Sequence, residues 1–136
     1  MIYNSVLDLH THTVASGHAY CSLREMAKAA SEKGLEVLGI TEHAPSMPGT
    51  CHKFYFNNLK VVPREMYGIQ LLLGSEVNIL DAQGTVDLGQ HTLSSMDVVI
   101  ASLHTPCMKP ASKLENTEAY PVSYTHLRAH ETRSNL

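Results

Sequence analysis

The chain has 136 residues, enough for one domain with a real core, and 43% hydrophobic against 17% charged residues places it among folded rather than disordered proteins. A formal net charge of -3 argues against a nucleic-acid surface built on bulk positive charge, though not against an anionic substrate held through bound cations. No stretch of about 18 apolar residues is present to cross a membrane, Met1 to Leu9 lacks the basic and long apolar regions of a signal peptide, and Cys21, Cys51 and Cys107 show no C-x-x-C spacing, so free thiols and a cytoplasmic location are expected.

In chain order, Ser5 to His10 reads as a short strand. Ser22 with Glu25 three residues on forms a capping-box pattern. It opens a helix through Leu23, Met26, Ala27 and Ala30 to Lys33, which Gly34 closes. Val37 to Thr41 is a nearly continuous apolar run, as expected of a strand buried on both faces. Strand, helix and strand together make a βαβ unit.

Pro45, Pro48 and Gly49 mark a loop. Phe54 to Tyr67 is ambiguous, and Pro63 argues against one long helix. Ile69 to Val77 is a third apolar strand, and Asp81 to Gly84 a turn. Thr85 to Leu88 reads as a short extra strand, Thr92 to Met96 as a helical turn, and Asp97 to Leu103 as a fourth strand.

From about Val122 the apolar period disappears. That tail resembles translated sequencing-adaptor read-through, with an ordinary C-terminal helix as the alternative. The expected division is therefore 1–120 as the domain and 121–136 as a non-native tail. His126 and His130 are left out of the site on that ground.

The chemistry lies in where His and Glu fall. Nine His outnumber 6 Tyr and 2 Phe together. His10 and His12 form an H-x-H pair at the end of the first strand, where positions i and i+2 share a face. His43 follows the second strand, Glu76 sits near the end of the third, and His104 follows the fourth. The carboxyl ends of parallel strands converge on one site, so these residues become neighbours. Imidazoles and a carboxylate suit zinc, manganese or iron. A carboxylate can join two ions, which makes Glu76 the natural bridge in a hydrolytic site with ions about 3.5–4 Å apart.

Other residues carry weaker signals. Asp8 shares the strand face of His10 and could hydrogen-bond a ligand ring. Arg64 and Lys53 are the basic candidates for a substrate phosphate. His52 and His91 directly follow no apolar strand. Glu42 neighbours His43 but should point the other way. Nucleotide-loop and serine-hydrolase motifs are missing.

Asp8-Leu9-His10-Thr11-His12 with His18, then Ile40-Thr41-Glu42-His43, Gly74-Ser75-Glu76-Val77-Asn78 and Ala101-Ser102-Leu103-His104 resemble the first motifs of the PHP (polymerase and histidinol phosphatase) domain. The phrase from His10 to Tyr20 is most similar to the YcdX-like phosphatases of that superfamily, and the likeness covers about residues 3 to 119.

The resemblance implies an α/β fold, a distorted (β/α)7 TIM-like barrel of which this chain is an N-terminal, truncated part. It implies a trinuclear metal site, commonly three zinc ions, with His10, His12 and Glu76 on the first ion. Glu76 would bridge to a second held also by His104, with His18 and His43 on the third. The family's further strand-end His and its Asp-x-His pair have no counterpart in register here, so each ion lacks one ligand and a fragment is expected.

The implied activity of the full-length protein is hydrolysis of phosphate esters on a small phosphorylated substrate. No protein nucleophile is expected, and a metal-activated hydroxide is the attacking group. Nucleic acid and membrane partners are not expected. The alternatives are an amidohydrolase-type C–N hydrolase, which also begins from an H-x-H strand, and a non-catalytic metal-binding fragment.

Overall fold

The computed structural model describes residues 5–109 and 111–128. Its centre is a parallel sheet of four strands, β1 (Leu7–Thr11), β2 (Val37–His43), β4 (Ile69–Asn78) and β5 (Val98–Ser102), each beside its predecessor in that order. The two-residue β3 (Glu65–Met66) pairs antiparallel with the start of β4. β5 takes the end of the same β4 edge, from Gly74 to Asn78.

The central strands are the apolar runs of the sequence. From Leu38 to His43, β2 is wholly buried, and β4 is buried from Leu73 to Asn78. Leu38, Ile40, Leu71, Leu73 and Val77 form the core with Ala27 and Ala30 from α1 (Leu23–Glu32) and Phe56 from α2 (Lys53–Asn58). At Gly74 the neighbouring strand passes so close that an added Cβ would stand 1.7 Å from the Val98 carbonyl oxygen, so β4 and β5 need glycine there to pair.

The capping box at Ser22 and Glu25 forms as the spacing predicts. The Ser22 hydroxyl accepts from the Glu25 amide, and the Glu25 carboxylate accepts from the Ser22 amide at 2.7 Å. The ambiguous stretch resolves into α2, a 3-10 turn at Leu59–Val61 and β3, with Pro63 between turn and strand. α3 (Gln90–Leu93) begins two residues before the expected helical turn.

One element differs from expectation. Thr85 to Leu88 is not a strand: only Val86 bridges to Ile79. The next residue is the reason. Both Asp87 carboxylate oxygens accept hydrogen bonds from Asn78, which draws the segment off a strand path.

α4 (Lys113–Arg128) runs through the sequence boundary at Tyr120, with Pro121 inside it and Ala119 and Ser123 buried. Residues 129–136 of the expected tail, including His130, and residues 1–4 lie outside the described residues. Cys21, Cys51 and Cys107 are free thiols. Among the described residues no helix is long and apolar enough to cross a membrane.

Candidate metal centre

The sheet brings the strand-end residues together around one carboxylate. Glu76, near the end of β4, is 4% exposed. Its Oε2 lies 3.3 Å from Nε2 of both His10 and His12, and 2.8 Å from Nδ1 of His43. Its Oε1 lies 3.3 Å from Nε2 of His104. Two ligand groups follow, His10 with His12 and Glu76, and His43 with His104 and Glu76. His18 does not reach Glu76 in these contacts. It stands behind His43, with the two Nε2 atoms 3.0 Å apart. Parallel pairing places His43 directly opposite Glu76 across the β2–β4 ladder, which is why a ligand from each strand end meets the other.

The loop after β1 carries His12 and His18. Its 3-10 turn, Val14–Ser16, is capped by the Thr13 hydroxyl and ends at Gly17, where φ is 80°. A Cβ on Gly17 would lie 2.1 Å from the Gly49 carbonyl oxygen. Only glycine allows the two loops to approach this closely, and His18 follows immediately.

Glu42 organises the same loop from behind. Its carboxylate accepts from the Thr13 amide at 3.0 Å, from the Thr13 hydroxyl, and from the Ser16 hydroxyl at 2.5 Å. The Tyr55 phenol also bonds to it. Burial first, and then the Glu42 charge, push the Tyr55 pKa well up.

The protonation pattern fits a cation. Burial lowers the pKa of His43 to about 4, against the opposing pull of Glu76, and burial likewise lowers that of His12. Both rings are therefore neutral near pH 7. Burial would raise the Glu76 carboxyl, but the polar groups of Ser102 and His10 beside it and the pull of His43 and His104 together hold it below its ordinary value. Glu76 Oε2 and His43 Nδ1 are buried without a hydrogen-bond partner although they lie 2.8 Å apart. Neither atom finds a well-directed hydrogen-bond partner, and a cation held by both would satisfy them with His43 in the Nε2–H form. Two ligand atoms each about 2.0–2.1 Å from a tetrahedral ion lie roughly 3.3 Å apart, the spacing of His10, His12 and His104 from Glu76, whereas the 2.8 Å approach of His43 is closer than that. The donor set therefore suits a divalent ion.

Asp8 and Arg64 stand away from the cluster. The Asp8 carboxylate is exposed and accepts from the His10 backbone amide at 3.2 Å, not from a ligand ring. The ring nitrogens of His12 and His104 that face away from Glu76 bond instead to Ser16 at 3.0 Å and to Asn78 at 2.7 Å.

Arg64 is held by Asp97 at 2.6 Å, and its backbone carbonyl accepts from Leu71 near the start of β4. Asp97 Oδ2 also accepts from the Leu73 amide at 2.9 Å, so the Arg64 charge is spent toward the starts of β4 and β5, three residues or about 10 Å along the strand from Glu76. Lys53 is exposed and opens α2, beyond the loop that follows β2, at the same end as the histidines. His52 caps α2, its ring accepting from the Phe54 amide, and His91 is exposed on α3.

Sequence reasoning passed over four residues: Glu42, Ser16, Asn78 and Asp87. Glu42 does point away from the cluster, and that direction is what brings it under the β1 loop. The available signal was the adjacency of polar residues to ligands, Glu42 beside His43 and Asn78 two after Glu76, in runs otherwise apolar.

A family model described as the PHP domain matches residues 8–133. A protein from Clostridium novyi (strain NT) named "Probable phosphatase" is 57% identical over 114 residues, covering 84% of this chain and 47% of its own length. A "Probable phosphatase" from Clostridium botulinum (strain Langeland) is 53% identical over the same shares, and one from Thermoanaerobacter sp. (strain X514) is 50% identical. The chain thus spans about half the length of the curated relatives it matches.

Proposed function

The chain belongs to the PHP domain family, and from that footing we propose that it forms the N-terminal part of a metal-dependent phosphoesterase acting on a small phosphorylated substrate. The observation that carries this reading is the convergence of His10, His12, His43 and His104 on the buried Glu76 carboxylate, whose Oε2 and the facing His43 Nδ1 lack hydrogen-bond partners. The neighbour-to-neighbour order of the parallel strands is compatible with the opening part of a (β/α)7 barrel, the reading we propose, with residues 1–120 as the domain proper.

His10 and His12 would hold one divalent ion with Glu76, and His43 and His104 a second, with Glu76 as the bridge. This shifts His43 from the assignment that family resemblance implies, where it pairs with His18 on a third ion. The Nδ1 of His43 faces Glu76 while its Nε2 faces His18, so its ring can serve both neighbours. Zinc suits the donor set, and manganese or iron is compatible with it.

Bound ions of this kind lower the pKa of water and neutralise phosphate oxygens. The residues of this chain supply the rest. Glu76 contributes the negative charge that lets two cations sit close. The imidazoles contribute ring-nitrogen lone pairs, and burial lowers the pKa of His12 and His43, which favours the unprotonated form at those two. Lys53, exposed at the same end, is the remaining basic candidate for the phosphate.

The test is hydrolysis of an aryl phosphate by the full-length protein, with metal content measured before and after chelation. Turnover that disappears with the metal and returns on its addition is expected. Full metal loading with activity on amides and none on phosphoesters would replace this reading with a C–N hydrolase.

A further inference from the structure

Hydrogen-bond polarity around the cluster can be followed from proton to proton. Ser16 Oγ has three partners: the His43 amide at 2.9 Å, Glu42 Oε2 at 2.5 Å and His12 Nδ1 at 3.0 Å. Its one proton goes to the Glu42 carboxylate, which can only accept. Its oxygen accepts from the His43 amide, so the remaining partner, His12 Nδ1, must also donate.

The second path is equally determined. Asn78 is fully buried. Its amide nitrogen faces two acceptors, the Ala44 carbonyl at 3.2 Å and Asp87 Oδ2 at 2.6 Å. That orients the amide and leaves Oδ1 toward His104 Nδ1 at 2.7 Å, which must donate. Asp87 is itself held in place by the amides of Asn78 and Ser46, at 2.9 and 2.8 Å.

We propose that Glu42 and Asp87 are positioning residues for the histidine cluster, holding His12 through Ser16 and His104 through Asn78 as Nδ1–H tautomers whose Nε2 lone pairs face Glu76. A ring in the other tautomer would present a proton where the cluster requires a lone pair. One path runs from the loop after β1 to Glu42 on β2, the other from the end of β4 to Asp87, and each ends on a carboxylate that hydrogen-bonds no histidine ring. The consequence for metal affinity rests on the metal-site reading above, whereas the tautomers themselves do not.

Long-range 1H–15N correlation spectra of the full-length, metal-free protein report each ring's tautomer directly. Nδ1–H at both His12 and His104 is expected. A predominant Nε2–H form at either ring overturns the proposal, whatever the variants do.

Glu42→Gln keeps the shape but lets an amide donate to Ser16 Oγ. That frees the serine proton for His12 Nδ1 and should move His12 alone to the Nε2–H form. Asp87→Asn should let the Asn78 amide turn and move His104 alone. Ser16→Ala, a smaller change, should leave His12 as a mixture.

Zinc affinity, by competition with a chelating dye, should fall about tenfold or more in each variant. Unchanged tautomers together with unchanged affinity in folded variants would overturn the proposal. Should the wild-type protein bind no divalent ion, the metal reading fails, while the spectra still decide the tautomers.

Discussion

At Glu76 one carboxylate faces four imidazoles, so its charge and its two oxygens matter more than any single ring. Glu76→Gln removes the charge that offsets repulsion between two close cations and leaves one good acceptor oxygen. Metal occupancy of the full-length protein should fall at least about tenfold, equivalent to about 1.4 kcal/mol, and turnover with it. His18→Ala removes a ring that packs against His12 and His43 without reaching Glu76, and should leave the ions at Glu76 bound. Elemental analysis of the two variants decides this, and equal loss in both would show that Glu76 is not the bridge. Stability should move the opposite way. The metal-free protein buries a carboxylate oxygen without a partner, and Glu76→Gln relieves that, so thermal denaturation without metal should occur at an equal or higher temperature. A cluster that loses its ion without losing its fold is what a functional, strained site should show. His10, His12, His43, Glu76 and His104 were legible in the sequence because strand periodicity and parallel pairing alone bring strand ends together. Ser16, Asn78 and Asp87 were not, because which side chain satisfies a ring nitrogen depends on loop geometry that periodicity does not carry. Arg64 shows the converse. Its type suited a phosphate, but its place before β4 set it at the wrong end of the sheet.

Among the elements, α1 was readable to within a residue because its boundaries are written in local chemistry. Ser22 and Glu25 satisfy each other's amides without tertiary help, and Ser22→Ala should destabilise the protein by about 1 kcal/mol. The Ser22 amide and hydroxyl hold the Glu25 carboxyl below its usual 4.5. A carboxyl with a depressed folded pKa stabilises above the unfolded pKa, and that contribution is lost as pH falls through the folded value. Protection from hydrogen exchange in the first turn of α1, relative to the intrinsic rate at each pH, should therefore fall below about pH 4.5, and Ser22→Ala should flatten that dependence. The β4–β5 pairing depends on a different local fact. Gly74→Ala would drive a methyl into the Val98 carbonyl, so the strands must part, at a cost of about 2–4 kcal/mol in chemical denaturation. His104 follows β5, so this substitution should also weaken metal binding without touching a ligand. Gly89→Ala, with open space around its Cβ, should change stability by about 0.5 kcal/mol or less. The 85–88 segment was misread because alternation there looks like a strand, while Asp87 is committed to Asn78 and Ser46.

For the molecule as a whole, burial grades outward from the centre of the sheet. The central β2 and β4 are closed on both faces, whereas every residue of β5 is only half-buried and Leu7 of β1 is 47% exposed. Relatives named as phosphatases are about twice as long as the matched region, and on the proposed reading the cluster is the part of a site that these four parallel strands provide. The ligand count then sets an order of metal retention. Each group at Glu76 offers three protein ligands, close to a full tetrahedral set, while His18 and His43 offer two, one of which is already engaged with Glu76. The 136 residues expressed alone should retain roughly two ions, in the groups that share Glu76, and exchange any ion at the His18–His43 pair freely. Extension with the remaining length of the Clostridium novyi relative should raise the count to about three and slow hydrogen exchange in β5, as the added strands cover its open edge. Native mass spectrometry of the two proteins, with exchange measured on β5 peptides, reads both quantities from the same preparations. Three tightly held ions in the shorter protein would mean that His18 and His43 form a complete site from the residues already present. Slowed exchange in β5 with no gain in metal would mean that the added half completes the fold and supplies no ligand.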